Sequence, residues 1–218
     1  MVDQSAYTLR PLSPADAAAG AALHVAGQPG TFLTRLGLPF LRVLYRGMAR
    51  SRSGFGTVAV REPGRVVGVV VGTDSTGALF RELIGGRWWQ FVLPVGLGIL
   101  RDLSLLRLIR QTFSYPEAEA CEPGIGELLF IGVDPQARRS GIGSALVDSL
   151  FAAARQRGLR GLTVTVDAEN ATAIRFYERH GFAFRRTAPL YGRPMHHYRI
   201  TLCENWEDDH RRGAENAE

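Results

Sequence analysis

The sequence predicts a single α/β domain built on one open sheet, and three observations carry the prediction. Leu128 to Val133 is an apolar run without polar alternation, the pattern of a central strand covered on both faces. From Ile142 the period changes: Ile142, Ala145, Leu146, Ser149, Leu150 and Ala153 fall at helical spacing, so an apolar stripe packs back on the sheet until Gly158 ends the helix. Upstream, Phe55 to Arg61 and Arg65 to Thr73 are β-rich runs around Glu62-Pro63-Gly64, which predicts an antiparallel hairpin with Val66 to Val71 in the core. A chain of 218 residues with 45% hydrophobic content can bury one full core.

In chain order, Tyr7 to Leu12 is a short first strand. Ser13-Pro14-Ala15-Asp16 follows as a helix start, with serine as cap, proline at the first helical position and an acid in the first turn. That helix runs to about Ala26, and Gly27-Gln28-Pro29-Gly30 breaks it. Leu36 to Ala49 is a second amphipathic helix with Leu38, Leu41, Leu44, Tyr45 and Met48 on one face. Ala78 to Ala120 reads as inserted helices with a large apolar load: Trp88, Trp89, Phe91, Leu93, Leu97, Leu100, Leu103 and Leu106 among them, broken at Pro94 and accompanied by Arg101, Arg107 and Arg110. Four readings stay open for it: an added core layer, a lid, a dimer surface or a membrane-surface contact. After the Ile142 helix come a strand at Leu162 to Asp167, a helix opened by Asn170, and closing strands at Phe182 to Thr187 and His196 to Leu202. Residues 1–203 form the domain, and 204–218 a charged tail.

Between the central strand and its helix lies Arg138-Arg139-Ser140-Gly141-Ile142-Gly143. Glycines at a helix N-terminus let backbone N–H groups turn inward, and the helix dipole and two arginines favour the same negative guest, a pyrophosphate. Neither a Gly-x-x-x-x-Gly-Lys-Ser/Thr loop nor the third glycine of a dinucleotide fingerprint is present.

Arg138-x-x-Gly141-x-Gly143 after Val133-Asp134-Pro135 resembles the coenzyme A signature of the GNAT superfamily of acetyl-CoA-dependent N-acetyltransferases. Asn170-Ala-Thr-Ala-Ile-Arg-Phe-Tyr177-Glu-Arg-His-Gly181-Phe182 is similar to the family's later helix. The match is specific from about Glu127 to Phe184, rests on element pattern up to Thr73, and does not extend to Asp74 to Gly126. The resemblance implies a mixed, mostly antiparallel sheet with a V-shaped splay between its two central strands, flanked by helices, here with a helical insert between the third and fourth strands. It implies acetyl-CoA as co-substrate, an amine as acceptor, and no metal.

Residue roles follow from the same resemblance. Backbone of Ile131, Gly132 and Val133 would pair with the pantetheine arm, and the N–H near Ile131 would support the oxyanion. Arg138, Arg139, Ser140, Gly141, Ile142 and Gly143 would hold the pyrophosphate, and Asn170 would cap its helix and touch the cofactor. An amine of pKa ~10 must lose a proton before it attacks a thioester. Glu127 stands at the offset of the family's general base; a solvated strand-entry glutamate is its plain alternative, and Glu169, Asp167 or a substrate-held water are other bases. Another branch of the family places a glutamate where this chain has Thr165. Tyr177 would protonate the departing thiolate, or simply pack on its helix face.

The formal net charge is +5 with all 26 basic residues arginine, but these are scattered and form no basic helix interleaved with aromatics, so nucleic acid is not expected. Cys121 and Cys203 match no metal or disulfide spacing and, with no apolar signal at the N-terminus, point to the cytoplasm. Trp88 to Leu100 is too short for a helix of ~20 apolar residues that spans a bilayer. The expected activity is direct acetyl transfer to a small amine or amino sugar. A protein acetyltransferase and a non-catalytic acyl-CoA-binding module are the alternatives.

Overall fold

The computed structural model describes residues 6–110 and 122–202. Its sheet has seven strands: β1 (Thr8–Pro11), β2 (Gly54–Arg61), β3 (Arg65–Thr73), β4 (Ile125–Val133), β5 (Gly161–Asp167), β6 (Ala183–Leu190) and β7 (Arg193–Thr201), in the order β1-β2-β3-β4-β5-β7-β6. Only β4 and β5 run parallel; every other pair is antiparallel. The parallel pair needs a crossover helix, which α7 supplies (Ile142–Gln156). The expected mixed, mostly antiparallel sheet flanked by helices is therefore present.

The splay is visible in the register. β4 and β5 pair only from Ile125↔Gly161 to Leu128↔Val164, although β4 continues to Val133 and β5 to Asp167. On the other side of β4 the ladder with β3 shifts between Val71↔Phe130 and Gly72↔Leu128, which leaves Leu129 as an extra residue. A bulge adds twist and re-aims the strand. Here it sits where β4 turns away from β5.

Each sheet face carries its own core. One joins Leu128, Val70 and Ala59 to α7 through Ile142, Leu146, Val147, Leu150 and Phe151. Val147, Phe151 and Ala154 take the core, rotating the helix relative to the expected stripe and leaving Ala145, Ser149 and Ala153 half-buried at its edge. The other core joins Val58, Val69, Val71 and Phe130 to α1 (Ala17–Gly27) and α3 (Leu38–Met48). α3 starts later than expected because Gly37, at φ 91°, separates it from a short helix α2 (Phe32–Arg35). Leu38 is 40% exposed, while Leu41, Tyr45 and Met48 are buried. The Ser13 start is tied down by Asp16, whose carboxylate accepts from the Ser13 N–H at 2.9 Å and from both Arg10 Nη atoms at 2.7 and 2.6 Å. Chiefly through Arg10, its pKa is lowered to about 2.

The insert is α4 (Thr76–Arg87), α5 (Trp89–Arg101) and helical residues 105–110, here α6. α4 and α5 meet at 97°. Phe91, Pro94 and Gly98 face inward: Phe91 meets the Phe40 ring at 5.6 Å, and Gly98 lies against Leu36 and Leu105. Phe32, Leu36 and Leu105 form a third cluster with Tyr191 at the tip of the β6–β7 hairpin. No single helix among the described residues is long and apolar enough to cross a membrane. Cys121, Cys203, the tail and the end of the insert lie outside the described residues.

Candidate active site

The opening between β4 and β5 begins just past Leu128, and strand alternation decides which groups line it. Asp134 N donates to Val67 O at 2.8 Å, in step with Gly132↔Val69, so the backbone groups of Gly132 turn to β3. Those of Ile131 and Val133 therefore turn into the split, where β5 has no group paired with them. Gly132 contributes differently from its neighbours. A Cβ there would stand 2.7 Å from the Phe130 ring, so the glycine lets that ring lie along the strand.

The cradle follows directly. Asp134 Oδ1 accepts from Gln136 N at 3.0 Å and Ser140 Oγ donates to Ala137 O at 2.6 Å, which stiffens the turn between β4 and α7. Arg139 (φ 62°) and Gly141 (φ 78°) both adopt the left-handed conformation. Alternating handedness of this kind turns successive N–H groups to one side and makes an anion nest. A Cβ on Gly141 would meet nothing within 4 Å, so the space beside the helix N-terminus is open. Gly143 is close-packed instead: its Cβ would sit 3.3 Å from Phe176 on α8 (Ala171–Arg179) and 3.9 Å from Val133. Arg138 Nε donates to Val133 O at 3.2 Å. The structure thus gathers Val133, Arg138, Gly143 and α8 at the mouth of the split. A free strand edge, an open left-handed loop and a helix N-terminus fit an extended thioester carrier with a pyrophosphate.

Asn170 caps α8, its Oδ1 accepting from Ala173 N at 3.1 Å. About two helical turns further on, Tyr177 is buried in the α7-side core between the Phe176 and Phe182 rings, each about 5.6 Å away. Burial raises its phenol pKa well beyond the usual value and keeps it protonated.

Glu127 lies on the opposite face. It alternates with Leu128, faces α4, and is only 9% exposed. Its Oε2 accepts from Thr76 Oγ1 at 2.6 Å, in the first turn of α4, where the helix dipole also favours a carboxylate. Glu127 and Tyr177 therefore lie on opposite faces of the sheet. Across the split from Glu127, Thr165 Oγ1 lies 3.4 Å from His197 Nδ1, linking β5 to β7 on the Glu127 face. Asp167 is engaged by Arg193 Nη1 at 2.8 Å.

Thr76, His197 and His24 were not singled out in the sequence. The cap pair Ser75-Thr76 before an apolar run was a readable signal for the first. The only sign of His24 was one polar residue in an apolar helix. His24 stacks on Phe130 at 4.4 Å and its Nδ1 lies 3.2 Å from the buried Tyr45 hydroxyl. Desolvation lowers its pKa to about 4. The unfolded chain protonates this histidine near pH 6.5 while the folded chain does not, so stability is complete above pH 6.5 and falls as the pH drops to about 4, by up to about 3 kcal/mol. Denaturant midpoints over that window should show this slope in the natural chain and lose it in His24→Leu; an unchanged slope would mean that His24 is not the group responsible.

The Acetyltransferase (GNAT) family model matches residues 34–182. The chain is 34% identical over 100 residues to a mycothiol acetyltransferase of Mycobacteroides abscessus, covering 46% of this chain and 33% of that protein. It is 40% identical over 98 residues to the mycothiol acetyltransferase of Cellulomonas flavigena, covering 43% and 28%. It spans only about a third of the length of these relatives. Ard1 from Thermoplasma volcanium superposes with a TM-score of 0.60 at 20% identity, over 91% of this chain and 99% of that one. An N-acetyltransferase from Staphylococcus aureus superposes at 0.59 with 17% identity, over 91% and 99%. With the split sheet, the cradle and a family match over most of its length, the chain belongs to the acetyltransferase (GNAT) family.

Proposed function

We propose that the chain transfers the acetyl group of acetyl-CoA to a primary amine by direct attack in a ternary complex, a small amine or amino sugar being the favoured acceptor. The observation that carries this reading is the split beyond Leu128↔Val164 ending in the open left-handed turn at Gly141. Acetyl-CoA, when bound, supplies an activated acyl group. Arg138, Arg139, Ser140, Gly141, Ile142 and Gly143 hold its diphosphate at the N-terminus of α7, Ile131 and Val133 offer backbone donors and acceptors, and Asn170 opens α8 beside them. Gly132 contributes by the absence of a side chain.

Glu127 takes the proton of the acceptor ammonium. Thr76 holds the carboxylate in place. Tyr177 supplies a hydrogen bond, then a proton, where negative charge develops on sulfur. Ser140 and Ser149 donate to backbone carbonyls of their own segment and neither is paired with a base, which favours direct attack over an acyl-enzyme. The relatives are named mycothiol acetyltransferases, which favours an acceptor of the mycothiol class.

A second reading rests on the burial of Glu127: a structural carboxylate would suit an acyl-CoA-binding module without catalysis. One assay separates the two. Free-thiol release from acetyl-CoA is followed across amino sugars, polyamines, amino acids and peptides, with the acetyl mass gain of the acceptor as confirmation. Turnover on an amine or amino sugar is expected, and turnover on peptides alone would move the acceptor to protein. Calorimetric acetyl-CoA binding with no thiol release on any acceptor would overturn catalysis.

A further inference from the structure

The insert divides its apolar residues unequally. Phe91, Pro94 and Gly98 anchor α5 to α3 and Leu36. On the outward side, Trp89, Leu93, Leu97 and Leu100 follow at spacings of three or four and form a ridge along α5, and Leu103 and Leu106 are exposed beyond the break at Asp102. Leu93, Leu100 and Leu103 are 70%, 81% and 71% exposed, so the ridge has no cover among the described residues. Trp88 and Trp89 stand at the α4–α5 corner, one length of α4, about 18 Å, from Thr76 and the Glu127 carboxylate.

Arginines outnumber acids around the ridge. Arg46 on α3 and Arg50 in the turn just after it line a groove of about 410 Å³ with Trp89 and Gln90, and among the described residues neither arginine has a carboxylate partner. Exposed Arg101, Arg107 and Arg110 flank the other end. The nearby acids are engaged: Asp102 by Arg35 and Ser104, and Glu82 by Ser51 and Ser53 at 2.6 and 2.9 Å and by Arg52 N. Two copies meeting ridge to ridge would press these arginines together. An anionic bilayer pairs with both the apolar stripe and its basic rim.

We propose that α5 and the start of α6 dock on an anionic membrane surface. α5 is about 20 Å long, short of the ~30 Å hydrocarbon core, and its 97° corner with α4 lets it lie flat. Leucines enter the acyl boundary, Trp89 sits at headgroup depth, and Arg46 and Arg50 take phosphates beside it. The transferase stays attached to the membrane through the outward side of α5.

The test is sedimentation of the full chain with vesicles of phosphatidylcholine alone and of phosphatidylcholine mixed equally with phosphatidylglycerol. Binding is expected to the mixed vesicles, weakened by high salt, and weak or absent on the neutral ones. Leu93→Asp with Leu100→Asp should reduce binding by tenfold or more, roughly, since each leucine loses its apolar burial. Arg46→Glu with Arg50→Glu should reduce binding selectively on anionic vesicles. Both variants change exposed positions, so thermal melting and acetyl-CoA binding should stay as in the natural chain. No vesicle binding, or a concentration-dependent dimer that the leucine changes abolish, would overturn the proposal. The second outcome would assign the ridge to another copy of the chain.

Discussion

Gly141→Asp is expected to lower acetyl-CoA affinity by about a hundredfold or more while the protein stays folded. The position tolerates the change sterically, because a Cβ there meets open space, and aspartate is among the side chains that accept a left-handed φ of 78°. What the new carboxylate occupies is the place into which the cradle N–H groups point. Like charges 4 Å apart at an effective dielectric of about 20 repel by about 4 kcal/mol, and even half of that exceeds a tenfold loss. Gly141→Asn, of nearly equal size and no charge, should lose markedly less. Isothermal calorimetry on both variants, with thermal melts to confirm folding, makes the comparison. Unchanged affinity in a folded Gly141→Asp protein would remove the diphosphate from this loop.

Glu127→Gln should cost on the order of 100-fold or more in turnover, with little change in acetyl-CoA affinity. The amide oxygen can still accept the Thr76 hydroxyl, so the strand and the start of α4 are kept and only the base is lost. The deficit should be largest at low pH, where more of the acceptor is ammonium. Tyr177→Phe is expected to lower turnover by about ten- to a hundredfold and leave cofactor binding intact, because the ring packing against Phe176 and Phe182 survives. The raised phenol pKa means that this tyrosine stays protonated through the pH range of the assay, so no alkaline limb should come from it. Wild-type turnover in Glu127→Gln would return that residue to a structural role and leave the Thr165–His197 pair as the base to examine. Wild-type turnover in Tyr177→Phe would make it a packing residue.

The strands, the hairpin, the crossover helix and the loop were legible because each depends on a local cause. An apolar run, a change of period and a glycine between strand and helix act within a few residues of themselves. Helix faces were read less well. In α7 the core took Val147 and Phe151 in place of Ala145 and Ser149, since volume filled across the interface outweighs spacing along the chain. α2 was missed because a four-residue helix has no period to read.

The sequence by itself determined the class of the fold, the place of the glycine turn between β4 and α7 and the membership that the motif at Arg138, Gly141 and Gly143 announces. Tertiary structure alone decided that Ile131 and Val133, not Gly132, face the split, because backbone direction follows from the register with β3. It decided that Glu127 and Tyr177 stand on opposite faces and that Thr76, 51 residues before Glu127, holds its carboxylate. It also turned six apolar residues of the insert outward. Each of these depends on which distant segments meet, and sequence spacing carries no record of that: a residue's partners across a sheet are set by pairing between strands, and a helix exposes whichever face its neighbours leave uncovered.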